Sequence, residues 1–243
     1  MADLDWLIAR PVAHRGLHDQ KTVIENTSSA FAAAIAGHYG IECDLQISAD
    51  GEGMVYHDDA LDRLTEGHGR LDATATAELK RVALKATGDR MITLGELCDL
   101  VAGRTTLLIE MKRSFAGDRR LVSRVATVLS GYHGPAAVMS FDPAQIADLR
   151  AVAPGLLRGM VMEKQGWDAF AAAPRRAMMT LAQALSARPQ FIAYAVRDLP
   201  ALLPAVARNV VRLPLLAWTV RSADDQRKAV RYADQMIFEG FRP

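Results

Sequence analysis

The sequence is poor in the features that mark secreted, membrane-spanning or nucleic-acid-binding chains. Only two of its 243 residues are cysteine, Cys43 and Cys98, so at most one disulfide is available. Cys43 lies between two acids in an apparent strand, and two reduced thiols that simply pack are expected. No apolar run approaches the ~18 residues that a membrane-crossing helix needs, so stable membrane insertion is not expected. Residues 1–6 are acidic and lack a basic segment leading into an apolar one. No signal peptide is therefore expected, and the expected location is cytoplasmic. Net charge is nearly absent, with 29 Lys and Arg against 28 Asp and Glu. That balance argues against nucleic acid or an anionic membrane surface as the main partner. Internal repeats and low-complexity blocks are missing too, and nothing in the sequence bears on oligomeric state.

What is present is apolar mass and alternation. Half of the residues are hydrophobic, enough for a large core, and the length is typical of one TIM barrel. Short apolar runs alternate with longer helix-like segments, the pattern of βα units and a parallel sheet. Strands are expected at 11–14, 41–47, 105–111, 136–139, 156–161, 191–195, 215–220 and 235–238. That is the number a (β/α)8 barrel requires, and α/β is the fold class expected.

Helix starts fall between these runs. Thr27-Ser28-Ser29 offers an N-cap ahead of an alanine-rich segment. Thr93-Leu94-Gly95-Glu96 has capping-box form, and Asp142-Pro143 puts a capping acid before a proline suited to the first helical position. Ser222-Ala223-Asp224-Asp225 opens the last helix with acids at its positive end. The interval from His57 to Thr105 is too long for a simple loop. Residues 58–92, including 62–69 and a helix-like 77–85, read as an insertion above the mouth of a single domain spanning 1–243. Arg175-Arg176 reads as a solvated helix face and Met178-Met179 as core packing.

The residues able to do chemistry collect at expected strand ends. In a TIM barrel, polar residues at the C-terminal ends of strands face the mouth. His14-Arg15-Gly16 ends the first strand, although alone it equally describes a surface turn. In Glu42-Cys43-Asp44 the two carboxylates share one face of a strand, and Cys43 takes the other. Flanking Ile41, Leu45 and Ile47 imply a buried strand, where unpaired acids are costly. A divalent cation between them resolves the repulsion, and oxygen ligands suit Mg²⁺ or Ca²⁺; exposed acids on a solvated strand are the alternative. Glu110 and Lys112 emerge together after the apolar run Leu107-Leu108-Ile109, as a third ligand and a phosphate-binding cation, or as a simple ion pair. His57-Asp58 supplies a second imidazole, a general acid–base partner for His14. His18, His38, His68 and His133 sit in turns and carry no expected role. Trp218 is either core or an apolar wall for a substrate. Cations for an anion, carboxylates for a metal and a pair of histidines for protons together fit phosphoryl transfer.

These segments, in order, resemble the glycerophosphodiester phosphodiesterase family: Ala13-His14-Arg15-Gly16, Glu25-Asn26-Thr27, Ile41-Glu42-Cys43-Asp44-Leu45, Val55-Tyr56-His57-Asp58 followed by Leu61-Asp62-Arg63-Leu64-Thr65, Ile109-Glu110-Met111-Lys112, Ser140-Phe141-Asp142-Pro143 and Ala217-Trp218-Thr219-Val220. The resemblance runs from Val12 to about Phe238. It implies a barrel with a small insertion, metal ligands at Glu42, Asp44 and Glu110, catalysis by His14 and His57, and phosphate contacts from Arg15 and Lys112. Two departures stand out. Ile24 replaces the usual proline before Glu-Asn-Thr. The usual Thr-Asp-Tyr-Pro-like end of the last strand reads Phe238-Glu239-Gly240-Phe241-Arg242-Pro243, which puts the distal wall, and with it alcohol specificity, in question.

The expected activity is metal-dependent hydrolysis of a small-molecule glycerophosphodiester to glycerol phosphate and an alcohol. Water and the neighbouring glycerol hydroxyl both remain open as the nucleophile. A lysophospholipase-D-type or sphingomyelin-type diesterase on the same barrel is the enzymatic alternative. A non-catalytic phosphodiester-binding barrel is the alternative from another class.

Overall fold

A computed structural model describes residues 4–112, 118–164 and 187–243; the readings of Arg175-Arg176 and Met178-Met179 lie outside the described residues. The strands are β1 (Val12–Ala13), β2 (Gly40–Ile47), β3 (Gly53–Val55), β4 (Leu107–Met111), β5 (Ala136–Ser140), β6 (Leu157–Met162), β7 (Phe191–Ala195), β8 (Leu215–Val220) and β9 (Gln235–Phe238). Parallel pairing runs β1-β2-β4-β5-β6-β7-β8-β9, and β9 pairs back onto β1. The sheet is therefore a closed barrel of eight parallel strands. Short β3 adds antiparallel to β2, outside the ring. Among the described residues no helix is long and apolar enough to cross a membrane.

Side-chain alternation divides the core. Ile41, Cys43 and Leu45 of β2, with Leu107, Ile109 and Met111 of β4, face outward and pack with helix residues such as Phe31, Leu97 and Val101. The opposite face closes on the barrel axis, where Val12, Leu108, Met139, Phe191, Leu216 and Ile237 form a second cluster. Leu7, from the short helix Asp5–Ile8, belongs to that inner cluster, so the N-terminal segment plugs the floor. Phe191 fills much of the axis. It is registered with Gly159 on β6, where a Cβ would lie 2.4 Å from its ring, so only glycine leaves room for it. The interior is thus apolar below, and the acids of β2 and β4 sit above.

Local chemistry sets the helix starts. Thr27 accepts from the Ala30 amide, and Thr93 and Glu96 form a reciprocal capping box. Asp142 caps a helix with Pro143 in its first turn, and Ser222 caps Ala223–Tyr232. The insertion corrects one expectation: its helix is only Thr76–Leu79, not 77–85. Beyond Val82 the backbone pairs with the loop instead. The Glu66 amide donates to the Ala83 carbonyl and the Lys85 amide to the Leu64 carbonyl. Leu61, Leu71, Leu79 and Met91 bury against Met54 and Tyr56, so a small apolar cluster seats the insertion on the end of β3.

Candidate active site

The register of neighbouring strands brings the three carboxylates together. Asp44 of β2 is the direct partner of Glu110 of β4, and side chains of registered parallel partners point the same way. Glu42 lies on the same face, two residues back. One oxygen from each of Glu42, Asp44 and Glu110 can be chosen so that all lie within 4.8 Å of one another, and all three side chains are buried. No other such group occurs among the described residues.

Two cations close the cluster. Lys112 Nζ lies 2.7 Å from both Asp44 Oδ1 and Glu110 Oε1. Arg15 Nε is 3.1 Å from Asp44 Oδ2, and the Arg15 amide donates to Glu42 Oε2 at 2.9 Å. That amide can point inward because Arg15 itself takes a left-handed φ of 56°. Asn26, also left-handed at 56°, donates from its amide side chain to Asp44 Oδ2 at 2.9 Å. Such backbone strain concentrates where surrounding contacts over-determine it. Gly16 next to them is required: at φ +80° a Cβ would lie 2.8 Å from the Ala30 backbone.

Electrostatically the group is unbalanced. Burial pushes the Glu42 carboxyl well above its usual range, and the charges of Asp44 and Glu110 add to the rise. Burial raises Glu110 too, although Lys112 opposes it. For Asp44 burial is outweighed by Lys112 and Arg15, which hold it below the ordinary carboxylate range. Glu42 Oε1 is buried with no hydrogen-bond donor, an arrangement that costs free energy unless something fills it. An all-oxygen set with an unsatisfied carboxylate oxygen fits a hard divalent cation.

The two histidines approach from either side, each anchored through Nδ1. His14 Nδ1 lies 2.8 Å from Glu239 Oε2, and its Nε2 is 4.0 Å from Glu42 Oε2. Burial lowers the His14 pKa, with the Glu239 hydrogen bond opposing. His57 Nδ1 lies 2.6 Å from Asp58 Oδ1, and Arg63 Nε donates to Asp58 Oδ2 at 2.5 Å. Arg63 Nη2 and Arg15 Nη1 both donate to buried Glu25 Oε1 at 2.7 Å. Burial would raise Glu25, but Arg63 and Arg15 bring it down to about 2.

His14, Arg15, His57, Glu110, Lys112 and Trp218 all line one cavity of about 460 Å³, with Phe141, Arg197 and Arg221 in its outer wall. Trp218 is both wall and packing: its ring meets Phe141 edge-on at 5.4 Å, and it rests on the inner cluster. Its Nε1 is buried without a hydrogen-bond partner. A second cavity of about 350 Å³ lies near the plugged floor, and its described lining has no carboxylate, histidine, lysine or arginine.

All eight residues singled out from the sequence thus gather at one place. Four that reasoning from the sequence left without a role join them: Glu25, Asn26, Asp58 and Arg63. Their signal was proximity, since Glu25-Asn26 and Arg63 lie in resemblance segments and Asp58 follows His57. Glu239 was visible only as a departure in residues 238–243, read as an altered wall; it is bonded to His14. His18, read as an ordinary turn residue, is buried.

Comparison with known proteins adds to this geometry. The model of the Glycerophosphoryl diester phosphodiesterase family matches residues 14–239. A glycerophosphodiester phosphodiesterase of Caldanaerobacter subterraneus subsp. tengcongensis is 28% identical over 233 residues, covering 90% of this chain and 89% of that one. A phosphodiesterase of Oleispira antarctica, solved in complex with the product sn-glycerol-3-phosphate, superposes with a TM-score of 0.76 at 21% identity, covering 94% of this chain and 91% of that one. A structure from Silicibacter pomeroyi superposes equally well at 24% identity, covering 94% and 89%.

Proposed function

The chain belongs to the glycerophosphoryl diester phosphodiesterase family, a family of phosphoric diester hydrolases, and we propose that it hydrolyses glycerophosphodiesters to glycerol phosphate and an alcohol. The observation that carries this reading is the gathering of Glu42, Asp44 and Glu110 next to a cavity lined by Glu110, Arg15, Lys112 and two histidines. The sn-glycerol-3-phosphate held by the Oleispira relative supports glycerol phosphate as the product.

Each side chain has work to do in such a reaction. Glu42, Asp44 and Glu110 hold Mg²⁺ or Ca²⁺, which when bound supplies a Lewis acid for a phosphoryl oxygen. Arg15 and Lys112 bind the phosphodiester and oppose charge growing on its non-bridging oxygens. Lys112 rests between Asp44 and Glu110 in the structure, so its reach to a phosphate competes with those carboxylates. One histidine takes a proton from the nucleophile and the other gives one to the departing alcohol; where the neighbouring glycerol hydroxyl is the nucleophile, the two exchange roles when water then opens the cyclic phosphate. Both present Nε2 for this, because each Nδ1 is already engaged by a carboxylate. The edge-on pair Phe141 and Trp218 gives the alcohol an apolar wall.

The test is turnover of sn-glycero-3-phosphocholine, with products separated as glycerol phosphate plus choline or glycerol plus phosphocholine. Glycerol phosphate is expected in Mg²⁺ or Ca²⁺ and none in excess EDTA. Zn²⁺ is expected to restore less, since it favours nitrogen and sulfur ligands. Absence of glycerol phosphate with every divalent cation would overturn the reading, and full turnover in EDTA would remove the metal from it.

A further inference from the structure

The closing seam of the barrel carries Glu239, the carboxylate bonded to His14 Nδ1. We propose that Glu239 is a positioning residue for His14, fixing its imidazole with the proton on Nδ1 and the lone pair of Nε2 turned to the carboxylate cluster, and that Arg221 holds Glu239 in place. The inference rests on the proposed function for what His14 does with that lone pair.

The placement follows from register. β1 and β9 pair Val12 with Ile237 and Ala13 with Phe238, and the His14 amide continues the ladder to the Phe238 carbonyl at 2.9 Å. One step further along both strands puts His14 opposite Glu239. The Glu239 amide is itself tied to the Val220 carbonyl of β8 at 3.0 Å, so its backbone is fixed from the other side. Gly240 follows with φ +81°, which turns the chain away directly after the carboxylate.

The chemistry of the pair selects one tautomer. An ionised carboxylate is acceptor-only, whereas a neutral imidazole has one donor and one acceptor nitrogen. At 2.8 Å from Glu239 Oε2, an unprotonated Nδ1 would set lone pair against lone pair. The proton therefore sits on Nδ1, and Nε2, 4.0 Å from Glu42 Oε2, is the nitrogen able to exchange protons in the cavity. The same carboxylate stabilises the imidazolium that forms when Nε2 accepts a proton. Arg221 Nη2 donates to that same Oε2 at 2.9 Å. It fixes the carboxylate rotamer from the solvent side, with its own side chain 57% exposed.

A rim ion pair with no influence on His14 is the competing account, and it makes different predictions. Long-range ¹H–¹⁵N correlation spectra of the His14 ring report the tautomer directly, in Mg²⁺ and after chelation. The proton is expected on Nδ1 in the unaltered chain and redistributed toward Nε2 in Glu239→Ala. In turnover, Glu239→Ala is expected to lose on the order of 10²-fold or more in kcat with KM within about twofold, since a misplaced tautomer removes a transition-state interaction. Glu239→Asp recovers part of that loss, and Arg221→Ala, which removes the support of Glu239 together with part of the outer cavity wall, loses several-fold in kcat. A proton on Nε2 in the unaltered chain overturns the proposal. So does an unchanged tautomer in Glu239→Ala, or a loss confined to KM. If Glu239→Ala fails to fold, Glu239→Leu supplies the same two readouts, since leucine is close in size to glutamate and has no acceptor for Nδ1–H. The spectra need no substrate. A chain unable to cleave glycerophosphodiesters would sink the reading of the site and leave the assignment of Glu239 to stand or fall on its own.

Discussion

His14 sits on the seam where the first and last strands of the barrel meet, whereas His57 sits at the foot of the insertion that follows β3. Both carry a carboxylate on Nδ1 and an arginine behind that carboxylate. The two assemblies differ in how far the chain must travel to build them. Asp58 is the next residue after His57, and Arg63 is five residues on from Asp58. Glu239 is 225 residues from His14, and the two meet only when the barrel closes. Burial follows the same division, with side-chain exposures of 11% for His14 and 33% for His57. A local triad on an insertion can adjust without disturbing strand register; a seam triad is as rigid as the barrel.

The comparison breaks first on the histidines themselves. His14→Ala and His57→Ala are each expected to lower kcat by roughly 10²–10⁴-fold, the range of general acid–base groups. Comparable losses mean that the two triads share the proton work despite their different construction. If either variant keeps near-normal kcat, that histidine moves no proton in the slow step. Glycerophosphodiesters with a highly acidic leaving alcohol sharpen the result. The variant that recovers on them has lost the group protonating the departing oxygen, because an acidic alcohol leaves without help.

Why one triad was half legible in the sequence and the other was not follows from the same distances. The strands were legible because Leu107-Leu108-Ile109 and Ile41-Glu42-Cys43-Asp44-Leu45 carry patterns that report burial directly. Caps at Thr27, Thr93, Asp142 and Ser222 were legible because capping is decided within a few residues. The gathering of Glu42, Asp44 and Glu110 could be anticipated from strand ends alone, since a barrel sends those ends to one mouth. The helix expected over 77–85 was misjudged because its second half is used in pairing with Leu64 and Glu66, a tertiary choice that propensity does not report. Asp58 and Arg63 lay in plain view beside His57 but without a partner to give them meaning. Glu239 could be given one only by the register of the closing seam, which sets Ala13 beside Phe238 and so His14 beside Glu239.

A smaller effect is expected where the two halves are joined. Arg63 holds Asp58 behind His57, and also Glu25, which Arg15 shares from the His14 side. Arg63→Ala is expected to lower kcat/KM about tenfold, because it loosens at once the histidine proposed to move a proton and the arginine proposed to bind phosphate, while removing neither. Lysine at this position restores the charge but not the two-pronged donation that arginine makes, so Arg63→Lys should remain impaired. Normal kcat/KM in Arg63→Ala would mean that the insertion contributes nothing to the mouth beyond covering it.

The smallest effect is on stability, and it separates the joined centre from the rest of the acids. Glu25 is buried and held at about 2 in the fold, against an ordinary value of 4.5. A carboxyl whose folded pKa is depressed contributes stability that is fully present above its unfolded value and is lost as pH falls toward its folded one. The window for Glu25 therefore runs from about pH 4.5 down to about pH 2. Glu42 and Glu110 work the other way: their raised values mean that the metal-free fold loses stability as pH rises through the range where they ionise. Raw acid unfolding of the chain mixes both signs, so the informative quantity is the difference between the unaltered chain and Glu25→Gln, each without metal. The glutamine side chain would keep the shape and leave Arg15 and Arg63 without their shared charge. The variant should be less stable at pH 7 by about 1–3 kcal/mol, the cost of leaving buried donors poorly matched. That gap should close as pH falls through the window, because Glu25 in the unaltered chain becomes protonated and neutral as well. Denaturant unfolding followed by circular dichroism at pH 7, 5, 4 and 3 measures it. A gap that stays constant across that series would mean that Glu25 stabilises by packing rather than by charge, and the ionic join between the two triads would be a feature of geometry without energetic weight.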